Sequence, residues 1–579
     1  MNWVKCVVAV IGLLGAAVSV ANAQPRAPFN PAALEGVAPE LDTARAAFHI
    51  PGMAVVVVAD GRVVLAQGFG ELGLEDQTPV NAETRFAIGS CSKAFTSFAL
   101  ALLAQEGRLR FSDPVAAHDP LLRLPDGPPP DRLTITSLLT QRSGFARHDF
   151  MWHALPAMSR ADFSAAQAHL PTQRSPATAY GYTNTAYILA GRLVDLEADQ
   201  PWEAFTRARI FAPLGMTRAN FSSEGLAADA NAARATKRAE GQNRTVPWRD
   251  GRLLGPAGSI NATANDLGRW LLLLTNGGAI DGRRILEEDR LEALFTPTAY
   301  AQPRRRGRST SAEPDSGYAM GWRVDTWRDL RRVSHTGAID GFRARVTLYP
   351  DQGVGVAVMV NLGPSQMPDF ATRVLSERVL GLSRTTDLLA LAASRDRDEA
   401  AALAAPPPVP RGRIARLGEA DPTIPPSVAL ATLTGVYHHP AYGDILIEPA
   451  TTGQGLRMRF GTLTGYLRHW RGNGYVAFSD LPDDTLNEGE LLFVTDATGA
   501  VGGFTAMIDN DIAPVGFIRT GPLPQPPTPA ATNDTHAGSL TSAPRTNTRL
   551  LWGALAFALL ILAAAGLSLL LKHRSQKPA

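Results

Sequence analysis

The chain has 579 residues, 45% of them apolar and 19% charged, which is ordinary for globular protein and too long for one domain. Its formal net charge of +2 gives no electrostatic case for nucleic acid as a partner. Of its two cysteines, Cys6 falls in an expected leader, which leaves Cys91 alone and excludes a disulfide framework.

Lys5, the apolar run from Val7 to Val20 and Ala21-Asn22-Ala23 read as a signal peptide over 1–23, cleaved before Gln24. A large domain is expected over 24–385. It opens with a hairpin, in which Met53 to Val58 is apolar, Asp60-Gly61 turns and Val63-Val64-Leu65 continues. It closes with another, Arg343 to Tyr349 and Val354 to Val360 about Pro350-Asp351-Gln352-Gly353. Helical patterns such as Ala94 to Gln105 and Asp266 to Leu274 lie between. Strands at both ends with helices between give an α+β class: an antiparallel sheet flanked by helices, with a helical region. The basic cluster at 304–308 reads as a solvated loop.

A helix and a Pro/Ala-rich linker occupy 386–428. Over 429–520, six short strand-like pieces separated by turns predict a small all-β, barrel-like domain. The stretch 521–549, rich in Pro, Thr, Ala and Asn, reads as a disordered stalk. The uncharged 22-residue apolar run 550–571 reads as a transmembrane helix, with Trp552 near one end. Lys572, His573, Arg574 and Lys577 mark 572–579 as a cytoplasmic basic tail. This predicts a single-pass protein of the cell membrane, its large domain periplasmic or extracellular and the membrane a partner through the C-terminal helix.

Only five of the 56 basic residues are lysine: 5, 93, 237, 572 and 577. Arginine keeps its proton in a protein, whereas a desolvated lysine can lose it. Lys93 stands three residues after Ser90, just where a helical pattern begins. That spacing sets amine and hydroxyl on one helix face, at the end that favours developing negative charge. A serine hydroxyl needs a base to become a nucleophile, and a buried lysine of lowered pKa can serve or can activate a second base. Tyr182 is a candidate second base, its pKa lowered beside a Lys ammonium, and Asn184 could orient Lys93 or bind a substrate amide. His335-Thr336-Gly337 precedes the closing hairpin, where a strand edge could offer a backbone N–H to an oxyanion. Each motif taken alone also fits a structural role: a helix cap, a core tyrosine, a satisfied histidine. The segment Arg147 to His153 fits a cleft wall or a polar loop with a packed Trp, and no further ligand joins His148 and Asp149 at metal spacing.

Ser90-Cys91-Ser92-Lys93, Tyr182-Thr183-Asn184 and His335-Thr336-Gly337, in this order, resemble the serine β-lactamase and penicillin-binding-protein superfamily. Within it the chain is most similar to class C-like serine hydrolases of the esterase and D-aminopeptidase-like branch. The resemblance runs over about 35–380. Leu138 to Phe145, Ile210 to Met216, Ala257 to Ile260 with Thr263 to Leu267, and Tyr318 to Trp322 carry it further. The resemblance implies a β-lactamase/transpeptidase-like fold, Ser90 as nucleophile, Lys93 as its partner and Tyr182 as general base and acid. It also implies that Asn184, His335, Thr336 and Gly337 bind substrate, and that the Ser90 and Ala338 backbone N–H groups form an oxyanion hole. The reaction expected is cleavage of an ester or amide, including D-amino-acid-containing peptides, through an acyl-Ser90 intermediate, with no cofactor and no metal. Alternatives are a DD-peptidase or β-lactamase acting on cell-wall peptides or penicillins, and a non-hydrolytic penicillin-binding sensor. Two departures stand out. His335 replaces the lysine that anchors a substrate carboxylate in lactamases, and Gln141-Arg142 replaces the usual His-Thr. Gly435 to Pro440 with Leu467 to Trp470 resembles a β-rich domain often fused to these hydrolases, which can cap the cleft.

Overall fold

Met53 to Val58 carries apolar side chains to both faces of a strand, so both faces need cover. The computed structural model describes residues 28–524, apart from 126–131, 174, 222–224, 227, 301–315, 405–416, 451–454, 481–488 and 509–512. Eight strands form one antiparallel sheet: β1 (Gly52–Ala59), β2 (Arg62–Gly70), β3 (Ala299–Tyr300), β4 (Gly317–Tyr318), β5 (Arg323–Trp327), β6 (Leu330–Ile339), β7 (Phe342–Tyr349) and β8 (Val354–Val360). Their order is β2-β1-β8-β7-β6-β5-β4-β3. The opening and closing hairpins thus join, with Met53 opposite Val360.

β1 and β8 are buried along their whole length. Side chains alternate between faces. Met53, Val55, Val57, Val356 and Val358 pack with α1 (Val37–Ala47) and with a helix at Met367–Val379. Ala54, Val56, Val58, Ala357 and Met359 face the larger core on the other side. There α2 (Ser92–Gln105) is buried on every side from Ser92 to Ala104. α3 (Asp149–Ala154), α4 (Thr185–Ala198) and α5 (Ala264–Thr275) join it. Thr263 caps α5: its hydroxyl accepts from the Asp266 N–H, while the Asp266 carboxylate accepts from the Thr263 N–H. The Thr263 to Leu267 motif therefore begins a helix. From α5, Trp270 stacks on Phe95 of α2 at 4.1 Å and meets Phe98 edge-on at 5.2 Å.

Eight further strands close a barrel: β9 (Gly435–His439), β10 (Gly443–Pro449), β11 (Leu456–Phe460), β12 (Leu463–Arg471), β13 (Gly474–Ser479), β14 (Gly489–Thr495), β15 (Val501–Ala506) and β16 (Val515–Gly521). Each pairs with its chain neighbour, and β16 closes on β9. Two of the eight, β12 and β15, are not among the six expected pieces; in β12, Thr464, Tyr466 and Arg468 alternate with inward Leu463, Gly465 and Leu467, and the inward glycine and outward tyrosine blur the apolar pattern. The barrel and the sheet domain belong to one compact unit.

The membrane reading is corrected. Among the described residues no helix is long and apolar enough to cross a bilayer. The longest described helix, Leu388–Ala404, has 17 residues and carries Arg, Asp and Glu, where a span needs about 20 apolar ones. The single-pass topology and the extracytoplasmic location are not carried forward. The expected leader, the basic cluster at 304–308, the stalk beyond 524, the apolar run 550–571 and the basic tail lie outside the described residues.

Trp270→Ala leaves α2 without its aromatic partner, and is expected to cost about 3–5 kcal/mol of stability in urea unfolding of the intact chain.

Candidate active site

A 3₁₀ turn over Gly89–Cys91 runs into α2 and presents Ser90. Two glycines let this turn touch β6. Gly89 has φ +50°, and a Cβ there would stand 2.7 Å from the Ala338 nitrogen. A Cβ on Gly337 would stand 1.9 Å from the Ile88 carbonyl oxygen, closer than any side chain tolerates. The Ser90 turn therefore lies against the Gly337-Ala338 backbone.

Lys93 is fully buried. Its Nζ stands 3.1 Å from Ser90 Oγ, 2.8 Å from Asn184 Oδ1 and 2.8 Å from the Ala257 carbonyl oxygen. Burial lowers its pKa to about 7, opposed by the nearby Asp149 carboxylate and helped by Arg147. The geometry then orients the neutral amine. Asn184 Oδ1 and Ala257 O can only accept, so they take its two hydrogens and leave the lone pair facing the Ser90 hydroxyl.

Tyr182 lies against this amine, its ring centroid 5.0 Å from Nζ. Desolvation raises the Tyr182 hydroxyl well above its ordinary range, outweighing a hydrogen bond with Ser90 that acts the other way. The expectation of a lowered tyrosine pKa is therefore corrected: burial outweighs the Ser90 hydrogen bond and the Arg323 and Arg147 charges that act against it.

Asn184 is held at both ends, because its Nδ2 donates to Asp149 Oδ1 at 3.0 Å. Asp149 also accepts from Trp152 Nε1 at 3.0 Å and from Arg147 Nε at 2.8 Å. Gln141, buried at φ +58°, spans the Tyr182-Thr183-Asn184 loop. Its Oε1 accepts from the Thr183 N–H at 2.9 Å, and its Nε2 donates to the Thr183 carbonyl at 3.1 Å. The residue that departs from the family pattern thus clamps the loop carrying Tyr182 and Asn184.

His335 is buried on β6. Its Nδ1 stands 2.7 Å from the Thr336 carbonyl and its Nε2 3.0 Å from Tyr318 Oη. A carbonyl only accepts, so Nδ1 carries the proton and Nε2 accepts from the tyrosine. Burial, and then the proximity of Lys93, lowers its pKa to about 3, which makes it a neutral wall. Its ring lies 6.2 Å from that of Tyr182. Thr336 and Ala338 alternate to the exposed side of β6, away from His335 and buried Gly337. Arg323, on β5 opposite Ser334, brings a guanidinium 6.0 Å from the Tyr318 ring and donates to Tyr180 Oη at 3.4 Å. Cys91 is buried with its thiol against the His335 carbonyl, and burial pushes its pKa up to about 12, so it is inert. Among the described residues no cluster of three His, Cys, Asp or Glu side chains could hold a metal.

Ser90, Lys93, Tyr182, Asn184 and His335 thus form one contiguous cluster, with the Gly337-Ala338 backbone alongside. Asp149, Gln141 and Arg323 join them from segments with no spacing signal; Asp149 and Gln141 stood only in motifs noted for other reasons. Residues 39–379, more than half of the chain, match the model of the Beta-lactamase family. The chain belongs to the beta-lactamase family. Its fold is that of a serine hydrolase family, and residues 419–514 match a domain of unknown function, DUF3471. Protein flp of Staphylococcus aureus is 26% identical over 335 residues, 57% of this chain and 64% of that protein. Unguisins hydrolase ungD of Aspergillus violaceofuscus is 28% identical over 335 residues, 54% of this chain and 59% of that one. The match thus spans less than two thirds of either relative. The octameric penicillin-binding protein homologue from Pyrococcus abyssi shares the fold, with a TM-score of 0.52 at 19% identity, covering 83% of this chain and 100% of that one.

Two outcomes are expected. Gly337→Ala should cost about 1–3 kcal/mol in thermal unfolding and slow reaction of Ser90 with a fluorophosphonate, because β6 must retreat from the turn. Asp149→Asn removes the carboxylate that raises the Lys93 pKa, so the ¹³Cε titration of Lys93 should move below pH 7.

Proposed function

We propose that the protein hydrolyses an ester or amide through an acyl-Ser90 intermediate, with Lys93 as the base that activates the serine. The observation that carries this reading is the set of three oxygen partners around the Lys93 amine. Neutral Lys93 takes the Ser90 proton as Oγ bonds to the substrate carbonyl carbon. The oxyanion that forms is met by the Ser90 and Ala338 N–H groups, which the Gly89 and Gly337 contacts bring close. Tyr182, protonated at neutral pH, donates to the leaving oxygen or nitrogen and recovers a proton from the Lys93 ammonium by way of the pocket. Water then attacks the acyl-serine ester, giving its proton back through the same groups and releasing the acid. The name of one relative, a hydrolase, is consistent with this.

A substrate with a free carboxylate, such as a peptide ending in a D-amino acid, is favoured by Arg323. Neutral His335 supplies no charge, but the Arg323 guanidinium stands beside Tyr318 and Tyr180, and Tyr318 touches both His335 and Tyr182. This keeps the peptidase and β-lactamase readings open as substrate choices of one mechanism. A penicillin-binding sensor would share the acylation step and lack the second.

The test incubates the purified chain and Ser90→Ala with a fluorophosphonate probe, a fluorescent penicillin and a short acyl ester. Ser90-dependent labelling and ester turnover are expected. No Ser90-dependent reaction with any of the three sinks the hydrolase reading, and lasting penicillin labelling without turnover supports the sensor. Lys93→Ala should slow acylation by roughly 10²–10⁴-fold. The wild-type rate should decline below about pH 7, where the Lys93 amine gains its proton. Arg323→Ala should raise KM about tenfold or more for a substrate with a free carboxylate, and leave its methyl ester unaffected.

A further inference from the structure

The barrel does not rest on the hydrolase domain at an arbitrary place. It grips α3, the six-residue helix whose first residue is Asp149. At the N-terminal end, buried His148 takes φ +41° and places Nδ1 2.7 Å from the hydroxyl of Tyr442, in the β9–β10 turn. His148 Nε2 faces the Pro171 carbonyl, which only accepts, so Nε2 carries the proton and Tyr442 donates to Nδ1. At the C-terminal end the β11–β12 turn takes over. Thr462 donates its N–H to the Ala154 carbonyl at 2.9 Å and its hydroxyl to the His153 carbonyl at 3.0 Å. The turn comes so close that a Cβ on Gly461, at φ +53°, would stand 2.0 Å from the Ala154 oxygen. Between the two ends, Phe150 lines the apolar interior of the barrel beside Ile445, Met458 and Phe460. Adjacent residues of one helix thus serve two bodies: Phe150 enters the barrel, while Asp149 holds Asn184, and Asn184 holds Lys93.

We propose that the C-terminal barrel positions the catalytic amine: by seating α3 it sets, through Asp149 and Asn184, where Lys93 stands against Ser90. Tyr442 and Gly461 are then positioning residues for a reaction they never touch. The proposal rests on the reading of Ser90 and Lys93 as nucleophile and base. Its physical basis is that hydrogen bonds weaken steeply with misalignment and that small displacements of a base are costly in rate. The hydrolase domain also holds α3, through Arg249 against His153, so the barrel trims a helix position that it does not set alone.

The scarcity of lysine makes a direct test practical. The full chain with ¹³Cε-labelled lysine has five such resonances, and Lys93→Arg assigns one of them. Its titration is recorded in the wild type, Tyr442→Phe, Gly461→Ala, Asp149→Asn and Tyr466→Ala, the last on the exposed outer face of the barrel. Asp149, Arg147 and Cys91 act on Lys93 directly, and His148, His169, His438 and His439 gather at the seam, so their titrations are followed in the same series. Tyr442→Phe and Gly461→Ala are expected to shift the Lys93 midpoint downward, as Asp149→Asn does. They should also slow fluorophosphonate labelling of Ser90 by about tenfold or more, while Tyr466→Ala changes neither. An unchanged Lys93 resonance and midpoint in Tyr442→Phe overturns the proposal, even if Gly461→Ala fails to fold. Absence of Ser90-dependent labelling in the wild type counts against the hydrolase reading alone, since the resonance reports position without any turnover.

Discussion

A primary amine buried beyond the reach of solvent, with three oxygens around it, is the constraint on which the hydrolase domain depends. An ammonium carried into a protein interior loses hydration worth several kcal/mol, and is kept only if paired or allowed to become neutral. Lys93 does both. Two acceptors and a hydroxyl surround it, and its pKa falls to about 7. Every partner comes from a different segment: Ser90 from the turn before α2, Asn184 from the start of α4, Ala257 from the turn before α5. The packing of α2 against its neighbours, including the Trp270 stack on Phe95, is therefore also what holds the amine in place.

One cause accounts for the protonation states around it. Desolvation is the largest influence on Lys93, Tyr182 and His335 alike. It lowers the lysine, raises the tyrosine and lowers the histidine, and each moves toward its uncharged form. The site at neutral pH thus holds a neutral tyrosine and histidine and a lysine at its midpoint, with Asp149 and Arg147 on one side and Arg323 on the other. That division is what the proposed acyl transfer requires, a base near its midpoint beside a protonated acid. Glycine makes the remaining contact possible, since any side chain at 337 would push β6 away from the Ser90 turn.

Much of this was legible in the residues, and the boundary is physical. Ser90 and Lys93 are three apart on a helix, so their proximity follows from local geometry. The two hairpins were legible because apolar runs and turn pairs are local as well. Asp149 was not, since its bond to Asn184 spans 35 residues. Gln141 stood out only as a departure from a family pattern, and its amide pairing with Thr183 exists only once two loops meet. The β12 strand escaped because Tyr466 points outward and Gly465 inward, so apolar and polar residues no longer alternate cleanly along it. The membrane reading rested on an apolar run outside the described residues, and nothing described supports it.

By itself the sequence determined which chemistry could be assembled: a serine and a scarce lysine at helical spacing, a tyrosine and asparagine on one loop, a histidine where an anchoring lysine usually stands. Tertiary structure alone decided the state in which those groups are held. Desolvation belongs to what packs around a residue and not to the residue, so the lysine brought to its midpoint near neutrality, the protonated tyrosine and the neutral histidine could not be read from their identities. The same holds for α3, whose ends are gripped by turns some 300 residues downstream.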